Sequence, residues 1–345
     1  MEPLGSRGER RWWVVVVTFL LLPLPLGAWA LGDRLWQWAR GPVAQVAPPT
    51  TEATGPQRVK LSYGMVWIPA GEFVMGDRHL PAADCRPIHV VWLDGYWIDQ
   101  HPVTNAEFRR FVEATGYVTT AEQVGWSMVF DATTRRWQQL AGADWRHPRG
   151  PRSTLLGADT HPVVHVSWHD ATQFARWAGK RLPTEAEYER AARGGLLEAR
   201  YAWGDEVPTR EQARANFWQG KFPHEDRGID GFTSLAPVAQ YPPNRFGLFD
   251  MAGNTWCWCG DWYDGQYYLT SSSRNPTGPR EGAERVLRGG SWLSTLEAPD
   301  QLAVAARHHA LPTISSCDIG FRCVSTTHPR STLPATSVQQ REMAR

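Results

Sequence analysis

Hydrophobic residues recur at helical spacing in three segments, and a capping box opens each of them. Thr104 is followed three residues later by a glutamate and then by the amphipathic run "EFRRFVEATG". A hydroxyl residue with an acidic residue at the third following position satisfies the free amides of a helix N-terminus. The pairs Ser167 with Asp170 and Thr184 with Glu187 repeat this arrangement, and each pattern ends at a glycine. The patterns therefore predict three short helices.

Short apolar runs between turn residues predict strands elsewhere. "MVWIPAGEFVMG" predicts two short strands about a turn at Ala70 and Gly71, and "VVWLDGYWIDQ" and "RVLRGGSW" predict further strands. The remaining sequence has no sustained period and is predicted to be irregular loop. The chain of 345 residues contains 19 Trp, 31 Gly and 26 Pro, which favours a loop-rich fold held by large rings over a helix bundle. The predicted class is α+β with little regular secondary structure.

The two ends of the chain differ in composition from its middle. Basic residues precede an apolar run from Trp12 to Leu26, which ends at "AWA" (residues 28–30). This order is typical of a secretory signal peptide; an uncleaved N-terminal membrane anchor is the main alternative, and a buried core helix fits the basic flank poorly. Residues 31–57 form a Pro/Ala/Thr-rich linker, 58–325 one globular domain, and 326–345 a polar disordered tail. We therefore expect an extracytoplasmic domain, secreted, periplasmic or tethered to a membrane.

Charge and cysteine content narrow the possible functions. A formal net charge of +1 provides no basic surface for nucleic acid. The cysteines are odd in number, so at least one is unpaired within the chain: Cys85, Cys257, Cys259, Cys317 and Cys323. In a strand, Cys257 and Cys259 would point to one face. Two arrangements are then open: a soft-metal centre completed by Cys317 or Cys323, or a disulfide such as Cys259–Cys317. A C-x-C motif alone is a weak signal for metal binding.

A series of motifs across residues 58–325 resembles the formylglycine-generating enzyme and sulfatase-modifying factor family. They include "MVWIPAGEFVMGD", "HPVVHVSWHDATQFARWAGKRLPTEAEYERAARGG", "ANFWQGKFP", "FGLFDMAGNTW", "RVLRGGSW" and "IGFRC", in this order. The resemblance implies a domain related to the C-type-lectin-like fold, with bound calcium. Active members act outside the cytoplasm. They oxidise a cysteine of an unfolded sulfatase peptide to formylglycine, using oxygen and copper held by two cysteine thiolates.

This chain departs from the family at the two copper-binding positions. In active members the cysteines follow the Trp of "RGGSW" by two and by seven residues, and here those positions are Ser294 and Pro299. Cu(I) prefers thiolate ligands, which neither residue supplies. The resemblance thus implies a non-oxidase paralogue that binds a peptide, protein or glycan in a groove around Trp256, Ser291, Trp292 and Ser294. A sulfatase-like peptide or another extracytoplasmic protein is the expected partner. Oxidation through relocated cysteines and a purely structural module remain alternatives.

The resemblance also implies calcium sites. The first would use the Asn216 and Asp230 side chains and the carbonyls of Phe217 and Phe232, all oxygen ligands that suit Ca²⁺. The alternative for these residues is ordinary turn hydrogen bonding. The second site would use Asp250, Gly253 and Thr255 with a glutamate that is Cys257 here, so we expect it to be weakened or lost.

Three further features carry weaker hypotheses. His308 and His309 invite comparison with an iron-binding branch of the family, but the pattern of ligands known there is missing. Ser291 lacks the G-x-S-x-G context of a hydrolase nucleophile. Cys323 matches a family cysteine whose partner position is Ala175, and a second family disulfide falls on Ala192 and Val304.

Overall fold

The computed structural model describes residues 64–208, 212–296 and 300–327. The predicted signal or anchor, the linker, Pro299 and the tail beyond residue 327 lie outside these ranges. No helix within them is long and apolar enough to cross a membrane.

The three helices predicted from capping boxes are confirmed. They are α1 (Asn105–Thr115), α3 (Trp168–Trp177) and α4 (Glu185–Arg193), and in each the capping residue and its acidic partner bond reciprocally. A fourth, short helix, α2 (Thr120–Val124), has the same signature and was predicted as loop. Helix α4 is buried along its whole length, and its charged residues form ion pairs except Arg190, whose guanidinium donates to the carbonyls of Gly71 and Leu93.

Eleven strands lie in the described ranges and form four small sheets. β1 (Met65–Ile68), β4 (Tyr96–Asp99) and β11 (Val324–Ser325) form one sheet, and β2 (Gly71–Met75) pairs with β3 (His89–Leu93). A hairpin is made by β5 (Trp126–Asp131) and β6 (Arg136–Ala141). The fourth sheet has the order β10 (Ile319–Gly320), β7 (Trp256–Trp262), β8 (Arg285–Arg288) and β9 (Arg307–Ala310).

The prediction of irregular loop was wrong for β5, β6, β9, β10 and β11. Strands β10 and β11 have two residues each and pair with strands distant in the chain, and β6 is exposed along nearly its whole length, so these three sequences carry little alternation. The fold is α+β, as predicted, and regular elements are short.

Strand β7 divides the core between two hydrophobic clusters. Cys257 and Cys259 pack in one cluster with α4, whereas Trp256 and Trp258 pack in the other with α1 and α3. The period of two in an extended strand places alternate residues on opposite faces. The C-x-C motif therefore lies on one buried face, as the sequence predicts.

Candidate functional site

The segment after β8 turns sharply because two glycines follow Arg288. Gly289 and Gly290 have φ values of 97° and 77°, which favour glycine. A side chain at Gly289 would collide with the Tyr188 hydroxyl, and one at Gly290 would approach the Gln301 carbonyl oxygen to 2.8 Å. The glycines thus set the position of Ser291, Trp292 and Ser294 against the core.

The two serines close a tight turn. The Ser294 Oγ accepts a hydrogen bond of 3.0 Å from the Ser291 backbone N–H, and the Ser294 N–H donates to the Ser291 carbonyl at 3.0 Å. Ser294 is 1% exposed. Its hydroxyl, at the position where the resemblance implies the first copper-binding cysteine, is therefore a buried acceptor for the backbone.

Ser291 is bound to a buried carboxylate. Its hydroxyl donates to Asp318 Oδ2 at 3.0 Å, and the Ser316 hydroxyl donates to the other oxygen at 2.6 Å. Burial raises the pKa of Asp318, since no basic group of the described residues forms an ion pair with it. The Asp318 carboxylate holds the turn in place. No histidine of the described residues bonds to the Ser291 hydroxyl, so the partner that a hydrolase nucleophile needs is missing there. This contact gives the Ser291 hydroxyl a structural role.

The two tryptophans of the predicted groove are also buried. Trp292 is 9% exposed and its indole N–H donates to the Cys317 carbonyl at 3.2 Å. Trp256 is 4% exposed, and its ring lies 5.1 Å from that of His308. The structure brings Ser291, Trp292 and Ser294 into one turn, while Trp256 packs with the α1 and α3 cluster.

Aromatic residues that the sequence analysis did not single out lie above this turn. Phe130 contacts the rings of Trp137, Trp218 and Phe222 at centroid distances of 5.7, 6.0 and 5.3 Å. We call these four residues the aromatic surface. Trp137 and Phe222 are 43% and 37% exposed, whereas Phe130 and Trp218 pack on Trp292 and Leu293.

Trp218 links the aromatic surface to the turn. Its backbone N–H donates to the Ser294 carbonyl at 2.9 Å. Its indole nitrogen is buried and has no hydrogen-bond partner in the described part of the chain. Buried donors are normally paired, and this one, which lies next to the exposed rings, is not. In the sequence, Phe130 lies in "WSMVFD", and Trp218 and Phe222 lie in "ANFWQGKFP". Only the fold brings these residues together.

All five cysteines are buried and unpaired. The disulfide considered between Cys259 and Cys317 is not formed, because the two residues lie in separate hydrophobic clusters. No group of three or more His, Cys, Asp or Glu side chains in the described ranges is arranged to hold a metal ion, and this includes the surroundings of Cys257 and Cys259. Burial raises the pKa of each thiol, so none of them is a ready thiolate. At the two positions where the resemblance implies copper-binding cysteines, Ser294 and Pro299 supply no thiolate.

The residues predicted for the first calcium site are close neighbours. Both oxygens of Asp230 accept backbone hydrogen bonds, from Phe217 N–H at 2.9 Å and from Phe232 N–H at 3.0 Å. The Asn216 amide nitrogen donates to the Ser234 carbonyl at 2.8 Å and to Asn254 Oδ1 at 3.1 Å, which leaves its oxygen for another contact.

Asp230 is a carboxylate that lacks a cation. It is 9% exposed, burial raises its pKa, and it forms no ion pair with a basic group of the described residues. The turn hydrogen bonds considered as the alternative are formed. A buried carboxylate without an ion pair is also the kind of oxygen ligand that a hard cation such as Ca²⁺ takes.

The second predicted calcium site has a different composition. Burial raises the pKa of Asp250, and its carbonyl accepts a 2.8 Å hydrogen bond from the Arg322 guanidinium. Cys257 is fully buried and burial raises the pKa of its thiol. The neutral Cys257 thiol and the nearby Arg322 guanidinium do not supply the negatively charged oxygen that a glutamate would offer to Ca²⁺ at this second site.

Comparison with known proteins places these features in a family. The model of the sulfatase-modifying factor enzyme 1-like domain matches residues 50–327. The chain belongs to the formylglycine-generating enzyme family. It is 48% identical over 301 residues to the formylglycine-generating enzyme of Streptomyces coelicolor, covering 82% of this chain and 96% of that protein. It is 40% identical to the inactive C-alpha-formylglycine-generating enzyme 2 of Mus musculus, covering 76% and 85%.

A solved structure supports the same family. PvdO from Pseudomonas aeruginosa superposes with a TM-score of 0.58 at 26% identity, covering 75% of this chain and 93% of that one. The family thus contains proteins named as enzymes and proteins named as inactive. Membership of the family therefore does not decide whether this chain is an enzyme, and its activity has to be argued from the site.

Proposed function

We propose that this protein is a non-oxidase member of the family that binds an extended peptide segment of another protein at the aromatic surface. The observation that carries the proposal is the state of Ser294. At the position where active members hold copper through sulfur, this chain has a buried hydroxyl that accepts the Ser291 N–H. An alcohol in that role is a poor ligand for Cu(I).

The aromatic surface supports a peptide as the ligand. Exposed rings beside a buried, unpaired indole N–H offer apolar contact together with one directed hydrogen bond. A peptide backbone supplies a carbonyl acceptor for such a donor, and aromatic side chains contribute strongly to binding at surfaces of this kind. A peptide of the C-x-P-x-R type is the first to test, because the family resemblance implies a sulfatase segment of that sequence.

Oxidation through relocated cysteines is the alternative, and the 48% identity to a protein named formylglycine-generating enzyme favours it. The burial of every thiol weighs against it. Cys317, the cysteine that packs with Trp292, is 7% exposed, and burial raises the pKa of its thiol far above the usual value. Such a thiol is not poised to bind a metal.

Calcium and an extracytoplasmic location belong to the same proposal. Asn216, Phe217, Asp230 and Phe232 would hold one Ca²⁺, which would fix the loop that leads to Trp218. The basic residues, the apolar run and the "AWA" sequence near the N-terminus support export. N-terminal sequencing of the protein from its extracytoplasmic fraction should start just after Ala30, or at Met1 if the segment is an anchor. Recovery of the full chain from the cytoplasm alone would contradict export.

Peptide binding is tested by titrating the full chain with a fluorescently labelled C-x-P-x-R peptide. Trp137→Ala should weaken binding about tenfold or more, because it removes an exposed aromatic contact. Trp177→Ala is the matched control, since Trp177 is 45% exposed but lies on α3 away from the aromatic surface. Equal affinities for both variants would contradict the location, and an absence of peptide binding would favour a structural module.

A further inference from the structure

A cavity lies at the end of β7 that is opposite to the Ser291 turn. Its volume is about 550 Å³, within the range of small-molecule sites. The turn between β3 and β4, one face of α3, the start of α4 and the end of β7 form its walls. None of the residues predicted for the groove or for calcium lines it. We call it the β7 cavity.

The charges that line the β7 cavity are mostly neutralised in pairs. Arg181 pairs with Glu187 at 2.7 Å, Lys180 with Asp99 at 2.6 Å, and Asp94 with Arg274 at 2.7 Å. The other two charged lining residues are Asp261 and Arg176. Neither has an ionic partner within 4 Å among the described residues. The cavity is therefore lined by one carboxyl group, of Asp261, and one guanidinium group, of Arg176, that form no ion pair with the described residues.

Asp261 is the buried member of this pair of charges. It is 2% exposed, and its Oδ2 accepts a 2.9 Å hydrogen bond from the Glu185 N–H at the start of α4. No hydrogen bond is donated to its other oxygen within the described ranges. Burial, and then the charge of Glu185, raise the pKa of Asp261, and the charge of Arg307 opposes this rise only in part. The N-terminus of α4 thus donates a hydrogen bond to one oxygen of Asp261, and the other oxygen is left for a ligand.

Helix α3 supplies the remaining polar groups of the cavity. The Thr172 hydroxyl oxygen is buried and lacks a hydrogen-bond partner in the described part of the chain. Arg176 follows one turn later on the same face and is exposed. The apolar wall includes Trp168, whose indole N–H donates to the Cys259 carbonyl at 2.9 Å and whose ring carries the Arg285 guanidinium at 3.9 Å. This wall is rigid.

We propose that the β7 cavity binds a small zwitterion of amino-acid to dipeptide size. Its ammonium or guanidinium group pairs with Asp261, its carboxylate pairs with Arg176, and the Thr172 hydroxyl bonds to a polar group between them. Opposite charges at two places in one cavity select a molecule that carries both signs. The proposal concerns a different part of the molecule from the aromatic surface and stands independently of the peptide-binding function.

The test is a thermal-shift screen of the full chain with the standard L-amino acids and simple dipeptides, followed by calorimetric titration of each hit. At least one zwitterion should bind saturably, and its decarboxylated analogue, such as agmatine for L-arginine, should bind about tenfold more weakly. Failure of every zwitterion to bind at millimolar concentration overturns the proposal.

Three variants assign the contacts. Asp261→Asn should weaken binding about tenfold or more, and its amide oxygen can still accept the Glu185 N–H, so the fold is retained. Arg176→Gln should abolish the preference for the carboxylated ligand. Arg109→Gln, on α1 and paired with Asp159, is the control and should bind as the wild type does. Wild-type affinity in Asp261→Asn, or an unchanged preference in Arg176→Gln, would overturn the assignment.

Discussion

At the scale of single residues, Ser294 and Pro299 stand at the two positions where the family resemblance implies the copper-binding cysteines of the oxidases. The sequence predicts which residue stands at the first catalytic position, because the motif "RGGSW" fixes the count. It does not predict that the Ser294 hydroxyl is used inside the turn with Ser291. That contact depends on how Gly289 and Gly290 direct the backbone, which only the folded chain determines.

The calcium residues provide a prediction for one carboxylate. Calcium should stabilise the wild-type protein, by about 2.7 kcal/mol when its concentration is a hundred times Kd, because the ion binds only the folded state. Asp230→Asn should lose most of this gain. Asp131→Asn, at a half-buried position at the end of β5 that is not among the predicted calcium ligands, is the control. Calorimetric melting with calcium and with chelator measures both effects, and an equal calcium response in Asp230→Asn would contradict the assignment.

The same residue determines the sign of a pH effect in the metal-free protein. Burial raises the folded-state pKa of Asp230 above its ordinary value near 3.9. Between the unfolded and folded pKa values the folded state binds more protons, so its stability falls as pH rises through that interval. In chelator, the stability of wild type relative to Asp230→Asn should therefore decrease with rising pH, and calcium should remove this decrease. A relative increase would contradict the absence of a cationic partner.

At the scale of elements, local signals predicted three of the four helices and strands β1–β4 and β8, and missed the other strands in the described ranges. A capping box and a terminal glycine lie within one short segment, so α1, α3 and α4 could be predicted with their boundaries. Strand β6 is exposed along nearly its whole length, so no alternation of apolar residues marks it. Strand β10 has two residues and forms by parallel pairing with β7. Such elements arise from distant contacts that the sequence does not display.

Helix α4 and strand β8 are joined by buried charges, which yields a stability prediction. Arg288 is fully buried and pairs with Glu185 at 2.9 Å and with Glu189 at 2.7 Å. Arg288→Met should lower the free energy of unfolding by about 3 kcal/mol or more, because it leaves buried carboxylates less compensated. Arg274→Met breaks the exposed pair with Asp94 and should change little. Urea unfolding measures both, and similar losses would contradict the role of burial.

At the scale of the whole molecule, family and fold were predictable but the chemistry required the arrangement of side chains. Ordered motifs across residues 58–325 indicated the family, and the matched domain covers residues 50–327. The aromatic surface lies on a hairpin and on a loop before residue 223, and it packs on the turn after β8. These three segments are far apart in the chain. The β7 cavity likewise gathers residues from several elements. Spatial clusters of this kind carry no signature within any one segment.

The measurement that tests the central claim most directly is an oxidation assay with a C-x-P-x-R peptide, copper and dissolved oxygen. Mass spectrometry of the peptide and oxygen consumption would be followed for the wild type, for the double variant Ser294→Cys with Pro299→Cys, and for the Streptomyces coelicolor relative as the positive control. We predict that the wild type yields no formylglycine and that the double variant gains copper binding. Formylglycine from the unmodified protein at a rate similar to that of the positive control would contradict the account.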